Sequence, residues 1–215
     1  MKIAKGGWSW ISSSIFVNLI LLILIFYLKG SVFYFTSGIF VFSLLLSFLL
    51  CVFFRDPERK TGEGVVAVAD GKIREISNQN DKEIGKCTMI STFMNIHNVH
   101  VNRMPLDGEI KEITHYEGKH IPAFKKESER NERVKIIIQT KKGLIKVILI
   151  AGTIARRIVP YVKKGNKIKK GEKISIIRLG SRVDVYLPEK IIKSIVVKEN
   201  DRVLAGEDSI AEIND

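Results

Sequence analysis

Two hydrophobic patterns divide this chain. From about Trp10 to Leu28, and again from about Val32 to Phe54, the residues are apolar all round with no acid among them. Each run is near the ~20 apolar residues needed to cross about 30 Å of hydrocarbon. Lys29-Gly30-Ser31 between them predicts a tight turn, so residues 1–54 read as a two-helix transmembrane hairpin. Trp8, Trp10, Tyr27 and Phe54 stand near the ends, where amphipathic rings favour the interface. A cleaved signal peptide is the competing expectation. Against it, the first run is long for such a segment, no A-x-A-like site follows, and a second full-length run comes at once.

Beyond Gly64 the apolar runs shorten and fall between turn signals, which predicts strands. Gly64–Ile76 contains Asp70-Gly71, a hairpin-type turn between apolar runs. Cys87–Pro105 reads as one or two strands, with Pro105 ending the pairing, and Gly108–His120 as another β run. Val134–Gly152 predicts a hairpin around Lys141-Lys142-Gly143. Ile176–Pro188 and Ile192–Glu199 add further strands. Lys125–Arg133 is polar throughout and reads as helical or irregular. Gly165–Ile177 and Glu199–Ile213 echo each other: a turn, a β-branched residue, a Gly-Glu turn and a short strand. Paired units of this kind build lipoyl-type barrels. The expected fold is mostly β: the helical hairpin, then residues 55–215 as a compact sandwich or barrel with lipoyl-like half-repeats.

Charge sharpens the division. The chain carries a net +12, and residues 1–54 supply only Lys2, Lys5 and Lys29. Lys2 and Lys5 precede the first run; Arg55, Arg59 and Lys60 follow the second. The positive-inside rule therefore places both ends in the cytoplasm. No RNP-like or helix-turn-helix pattern is present, so the basic excess is assigned to anionic lipid rather than nucleic acid, at about 1 kcal/mol per cation near the surface. Cys51 lies in the second apolar run and Cys87 in a strand, which makes neither a disulfide framework nor a zinc site.

Candidate chemistry begins with the histidines: His97, His100, His115 and His120. Histidine is the usual general base near neutral pH. His97 and His100 are three apart, which on a strand puts the rings on opposite faces, and no HExxH accompanies them, so no metal is expected. Asp70 alone reads as a turn residue, and Gly180-Ser181 as another. Ser181 is followed by Arg182-Val183 and so lacks the nucleophile-elbow pattern.

In order, the chain holds Phe-Phe-Arg-Asp-Pro-Glu-Arg (53–59), Ala-Asp-Gly-Lys (69–72), Phe-Met-Asn-Ile-His-Asn-Val-His-Val-Asn-Arg-Met-Pro (93–105), Asn-Glu-Arg (131–133), Ile-Ala-Gly-Thr-Ile-Ala-Arg-Arg-Ile-Val (150–159) and Leu-Gly-Ser-Arg-Val-Asp-Val (179–185). This ordered set resembles the short form of the phosphatidylserine decarboxylase family, from the second apolar run to the end. The resemblance implies a membrane-bound proenzyme that cuts itself between Gly180 and Ser181, giving a β chain, 1–180, and an α chain, 181–215. Ser181 would become a pyruvoyl group that forms a Schiff base with a serine phospholipid. CO2 would leave and the ethanolamine phospholipid remain. The pyruvoyl is the only cofactor implied, with no metal and no PLP.

The resemblance also implies an Asp-His-Ser arrangement for self-cleavage. Asp70 matches the aspartate that orients the base, and His100 the base. Where longer members resemble His-x-x-His-Met-Pro, this chain has His100-Val-Asn-Arg103-Met-Pro. His100 therefore either serves both cleavage and decarboxylation or is helped by water or His97. Arg103, Arg156 and Arg157 are candidates for the substrate's phosphate or carboxylate. The substrate implied is phosphatidylserine or its ether analogue archaetidylserine. Family members tend to form homodimers, and the expected location is the cytoplasmic face of the cell membrane. Two rival readings stay open. One is a non-enzymatic membrane adaptor with a lipoyl-like barrel, which would want heptads that are missing here. The other is a serine hydrolase, which would keep Ser181 intact.

Overall fold

A computed structural model describes residues 2–119, 130–152, 157–178 and 181–214. The chain divides into two compact units, Met1–Glu58 and Arg59–Asp215.

The first unit is a helical hairpin with its ends tied together. It runs β1 (Lys2–Ile3), α1 (Trp8–Tyr27), α2 (Gly30–Phe53) and β2 (Arg55–Asp56). β1 pairs antiparallel with β2, Lys2 opposite Asp56, so both ends of the hairpin lie at one side. The connection is Leu28-Lys29, one residue earlier than predicted. Gly30 already opens α2, at φ +65°, a conformation that glycine adopts without a Cβ penalty. Both helices are long and apolar enough to cross a membrane, and their apolar side chains are largely exposed. Between them, Asn18 Nδ2 donates to Ser47 Oγ at 2.7 Å.

The second unit is all β. Its strands are β3 (Val65–Val66), β4 (Gly71–Asp81), β5 (Gly85–Met94), β6 (Val101–Arg103), β7 (Gly108–Tyr116), β8 (Arg133–Thr140), β9 (Gly143–Ala151), β10 (Ile158–Pro160), β11 (Lys167–Ile168), β12 (Lys173–Ile177), β13 (Ser181–Pro188), β14 (Ile192–Ile195), β15 (Arg202–Val203) and β16 (Ser209–Ile213). Eight form one sheet, ordered β11-β7-β8-β9-β13-β5-β4-β15, which curls into a half-barrel. Two three-stranded sheets, β10-β12-β6 and β14-β16-β3, complete the unit. All three sheets contribute to one core, among them Ile73, Ile136, Leu149, Val183, Ile174 and Ile210.

The strand order is two-fold. β11-β7-β8-β9 mirrors β15-β4-β5-β13, and β10-β12-β6 mirrors β14-β16-β3. The predicted echo falls on equivalent strands: β11 and β15 close the two edges of the large sheet, and β12 and β16 each stand in the middle of a small one. The likeness extends further than the echo. Gly206 N donates to Ala67 O at 2.7 Å, and Gly171 N to Met104 O at 2.8 Å. β4 has a register shift between Ile73 and Glu75, and β7 between Ile110 and Glu112. Asp70-Gly71-Lys72-Ile73 and Asp107-Gly108-Glu109-Ile110 are the corresponding stretches of sequence.

One predicted turn is different. Asp70-Gly71 does not close a hairpin, because β3 pairs with β16 while β4 pairs with β5 and β15. The run before it, Val65–Ala69, is buried without alternation, as suits a chain crossing from one sheet to the next. The hairpin over Lys141-Lys142 forms as predicted, with Thr140 opposite Gly143. Of the polar stretch Lys125–Arg133, residues 125–129 lie outside the described residues; Arg133 opens β8.

Candidate active site

Ser181 is the first residue of β13, one of the two central strands of the large sheet. It lies opposite Met94 of β5 and Ala151 of β9. Alternation along β13 sends Val183, Val185 and Leu187 into the core and Arg182, Asp184 and Tyr186 to the other face. Ser181 shares the core-facing side. It is fully buried, and its Oγ has no hydrogen-bond partner among the described residues. A buried hydroxyl in that state costs about 1–3 kcal/mol. Gly180 lies outside the described residues.

Two chain paths lead from Ser181 to His100. The His100 carbonyl accepts the amide of Ile177 at 3.2 Å, four residues before Ser181. Met94, opposite Ser181, is followed by a tight turn in which Asn98 N donates to Asn95 O at 3.0 Å and Asn95 N donates to Asn98 Oδ1 at 2.8 Å. That turn ends at His100, which is fully buried. Its Nδ1 lies 2.8 Å from the carbonyl oxygen of Asn98. A carbonyl only accepts, so in the neutral ring Nδ1 carries the proton and Nε2 is the basic nitrogen. His97, on the same turn, is exposed.

Asp70 comes to the same end of the unit by a third path. Arg103 N donates to Val68 O at 2.8 Å, and Val66 N to Pro105 O at 3.1 Å. Val68 is thus bonded to β6, and Asp70 follows two residues later, just before Lys72 pairs with Phe93 of β5. Its carboxylate does not bond the His100 ring. Arg59 grips it in a fork, Nη1 to Oδ1 and Nη2 to Oδ2, each at 2.7 Å, and Ala205 N donates to Oδ1 at 2.8 Å. Both side chains of the fork are buried.

The arginine candidates separate. Arg103 is buried on β6 opposite Lys173, and its Nη1 donates to Gly171 O at 2.9 Å. It is three residues on from His100, about 10 Å in extended chain. There it lines a cleft of about 460 Å³ with Thr61, Lys170, Gly171, Glu172 and Lys173. Gly206, at φ +76°, leaves room for its stem; a Cβ there would stand 2.6 Å from Arg103 Cδ. Arg157 is exposed, and its carbonyl accepts Arg178 N at 3.3 Å, close in sequence to Ser181. Arg156 lies outside the described residues, as does His120.

Several groups in this neighbourhood were not singled out from sequence. Arg59 ends the first of the ordered motifs, and only its basic charge marked it. Asn98 acts through its carbonyl, which sequence cannot flag. Asn131, fully buried, donates from Nδ2 to Ala151 O at 2.7 Å, on the strand residue that faces Ser181. On the opposite face of β13, Arg182 and Asp184 make a buried pair, Nη2 to Oδ2 at 2.6 Å. Among the described residues no group of three or more His, Cys, Asp or Glu could hold a metal ion.

Comparison with known proteins gives this arrangement a family. Residues 46–211 match the family model described as Phosphatidylserine decarboxylase. The chain is 40% identical over 98% of both lengths to a protein of Methanosarcina barkeri named "Putative archaetidylserine decarboxylase proenzyme". One of the same name in Methanococcoides burtonii is 45% identical over 80% of this chain and 79% of that one. A "Phosphatidylserine decarboxylase proenzyme" of Streptomyces avermitilis is 46% identical over 72% of this chain and 69% of its own.

Proposed function

The chain belongs to the phosphatidylserine decarboxylase family and is an enzyme of that class, and on that premise we propose that it matures by cutting itself before Ser181 and then decarboxylates a serine phospholipid to the ethanolamine phospholipid. The observation that carries this reading is the Ser181 hydroxyl: buried, without a hydrogen-bond partner among the described residues, at the head of a central strand. A structural serine in such a place would be expected to bond a neighbour.

In the proposed cleavage, His100 Nε2 takes the proton of Ser181 Oγ as the oxygen attacks the carbonyl carbon of Gly180. The Gly180–Ser181 C–N bond breaks, leaving an ester and a free Ser181 amine. Loss of the Ser181 α-proton then expels the Gly180 carboxylate from Cβ. Water hydrolyses the resulting dehydroalanine, ammonia departs, and a pyruvoyl group caps residue 181. Residues 1–180 become the β chain and 181–215 the α chain. The new chain stays in place through its sheets: β13 lies between β5 and β9, β15 pairs with β4, and β16 with β3.

The pyruvoyl supplies an electron-accepting carbonyl for the amine of the serine headgroup. The space that buries the Ser181 side chain fits it, since it is made from those atoms. His100 is the candidate to hold or return a proton at this site. Asp70, forked by Arg59, is the candidate to orient that base. Arg103 and Arg157 are the described candidates for the headgroup's phosphate or carboxylate, with Arg156 as a third.

The hairpin is proposed to cross the membrane. β1–β2 pairing brings its two ends together, and the cations Lys2, Lys5, Arg55, Arg59 and Lys60 favour the cytoplasmic side for both. The enzyme would then be tethered to the membrane that holds its lipid substrate. Relatives named for both lipids make phosphatidylserine and archaetidylserine the two substrates to assay.

Denaturing mass spectrometry of the purified chain tests the reading. The expected result is a C-terminal fragment beginning at residue 181 and blocked to Edman sequencing. An intact 24.4 kDa chain in active material would overturn it.

A further inference from the structure

The repeat within the barrel separates what an aspartate does here for the fold from what it does for the site. Asp107 stands where Asp70 stands in the other half. Its Oδ1 accepts Lys170 N at 2.7 Å, as Asp70 Oδ1 accepts Ala205 N at 2.8 Å. Capping that turn amide is therefore common to both. Two things belong to Asp70 alone. It is 3% exposed whereas Asp107 is exposed, and it carries the fork from Arg59. Arg59 Nη1 also donates to Ala205 O at 3.1 Å, so one guanidinium spans the carboxylate and the turn that caps it.

We propose that Arg59 is the positioning residue of the self-cleavage site, holding the Asp70 carboxylate in place two residues beyond Val68, which bonds the strand that follows His100. The proposal rests on the reading that Ser181 is cut with His100 as base. A planar fork fixes a carboxylate in both distance and plane, which an ammonium does not. Without it, a buried carboxylate would keep only the Ala205 amide. It would then either take up a proton or turn its charge onto His100, and both raise the pH at which the site becomes a competent base. Other charged groups stand on the adjoining elements, among them Asp208, half-buried in the turn that holds Ala205, whose Oδ2 accepts Leu204 N at 2.7 Å. Arg103 on β6 is buried with its Nη1 on Gly171 O, and Lys72 on β4, Arg202 on β15 and Glu207 in the adjoining turn are exposed.

The test measures the first-order rate of self-cleavage of the full chain in membranes or detergent across pH. Arg59→Gln is expected to cleave about 100-fold more slowly at neutral pH, with the acid side of its profile moved upward. Arg59→Lys should recover part of the rate and keep the acid side near the parental position. The double variant Arg59→Gln/Asp70→Asn removes both partners, so it folds without a stranded anion, and it should remain slow. Parental rate and profile in Arg59→Gln, or in the double variant should the single one misfold, would overturn the proposal. Equal slowing in Gln and Lys variants with an unmoved profile would overturn it too, as that is the mark of a merely structural role. A parent chain that is never cut before Ser181 would instead sink the underlying reading.

Discussion

Asp70 and Asp107 occupy equivalent turns in the two halves of the β unit, each accepting a backbone amide at 2.8 and 2.7 Å respectively, yet only Asp70 is buried against a guanidinium. The pair is an internal control. Asp107→Asn should cost about 0.5–1.5 kcal/mol, the net worth of an ordinary hydrogen bond, and leave self-cleavage at the parental rate. Asp70→Asn should weaken a similar turn bond, cost about 3–5 kcal/mol more by stranding the buried Arg59 guanidinium, and slow cleavage severely. Denaturant titration and gel analysis of processing separate the two effects; equal processing in both variants would remove Asp70 from the site.

His100 and His97 share one turn but not one environment: the first is fully buried, the second exposed. His100→Ala should slow cleavage by about 100-fold or more, as loss of a general base does. His97→Ala should process normally. Normal cleavage in His100→Ala would exclude it as the base.

Asn131 reaches across to the carbonyl of Ala151, the residue opposite Ser181. Asn131→Ala leaves that buried carbonyl short of a donor and opens a gap, which should destabilise the domain by about 1–3 kcal/mol. Cleavage should slow as well, because the β9 strand end that flanks Ser181 loses its tether. A thermal melt together with a processing time course reads both; an unchanged time course would confine Asn131 to stability.

Asn18 and Ser47 join the two apolar helices through a 2.7 Å hydrogen bond. In a membrane such a bond contributes about 0.6 kcal/mol on average. Asn18→Leu should weaken the helix pair by that order in a detergent or bilayer unfolding measurement, without changing the rate of self-cleavage.

On the outer face of the large sheet, burial works against ionising Asp81. The Lys146 ammonium and the amides of Glu83 and Ile84 outweigh it and hold the carboxyl below its usual value. A depressed carboxyl contributes stability above its unfolded-state pKa and loses it as pH falls through the folded one. Asp81→Asn should therefore flatten the fall in stability below about pH 4. At higher pH it should cost on the order of 1 kcal/mol, since the pair is partly solvated. Unfolding midpoints from pH 3 to 7 would show this, and parallel curves for parent and variant would contradict it.

Local pattern decided much of this protein. The two apolar runs became α1 and α2 within two residues of their predicted starts, because a run of apolar residues needs no distant partner to become a helix. The hairpin over Lys141-Lys142 formed as read, since two β-branched strands and a short loop specify one another. The ordered motifs pointed to a family that the comparison then showed. The partners of Asp70 were another matter. Arg59 is eleven residues away and Ala205 is 135, and both meet the carboxylate only because β3 and β4 diverge into different sheets at that point. The same apolar-turn-apolar string that suggested a hairpin is a crossing between sheets, and periodicity in one strand cannot say which strand it will pair with. The two-fold strand order of the β unit, visible in sequence only as a faint echo, likewise came from long-range pairing. Sequence thus determined most of the helix and strand segments, the family, and which residues to propose for the chemistry. Tertiary structure alone decided that Ser181 is buried without a hydrogen-bond partner among the described residues and that Asp70 is gripped by Arg59 and Ala205, because both depend on where separate strands meet.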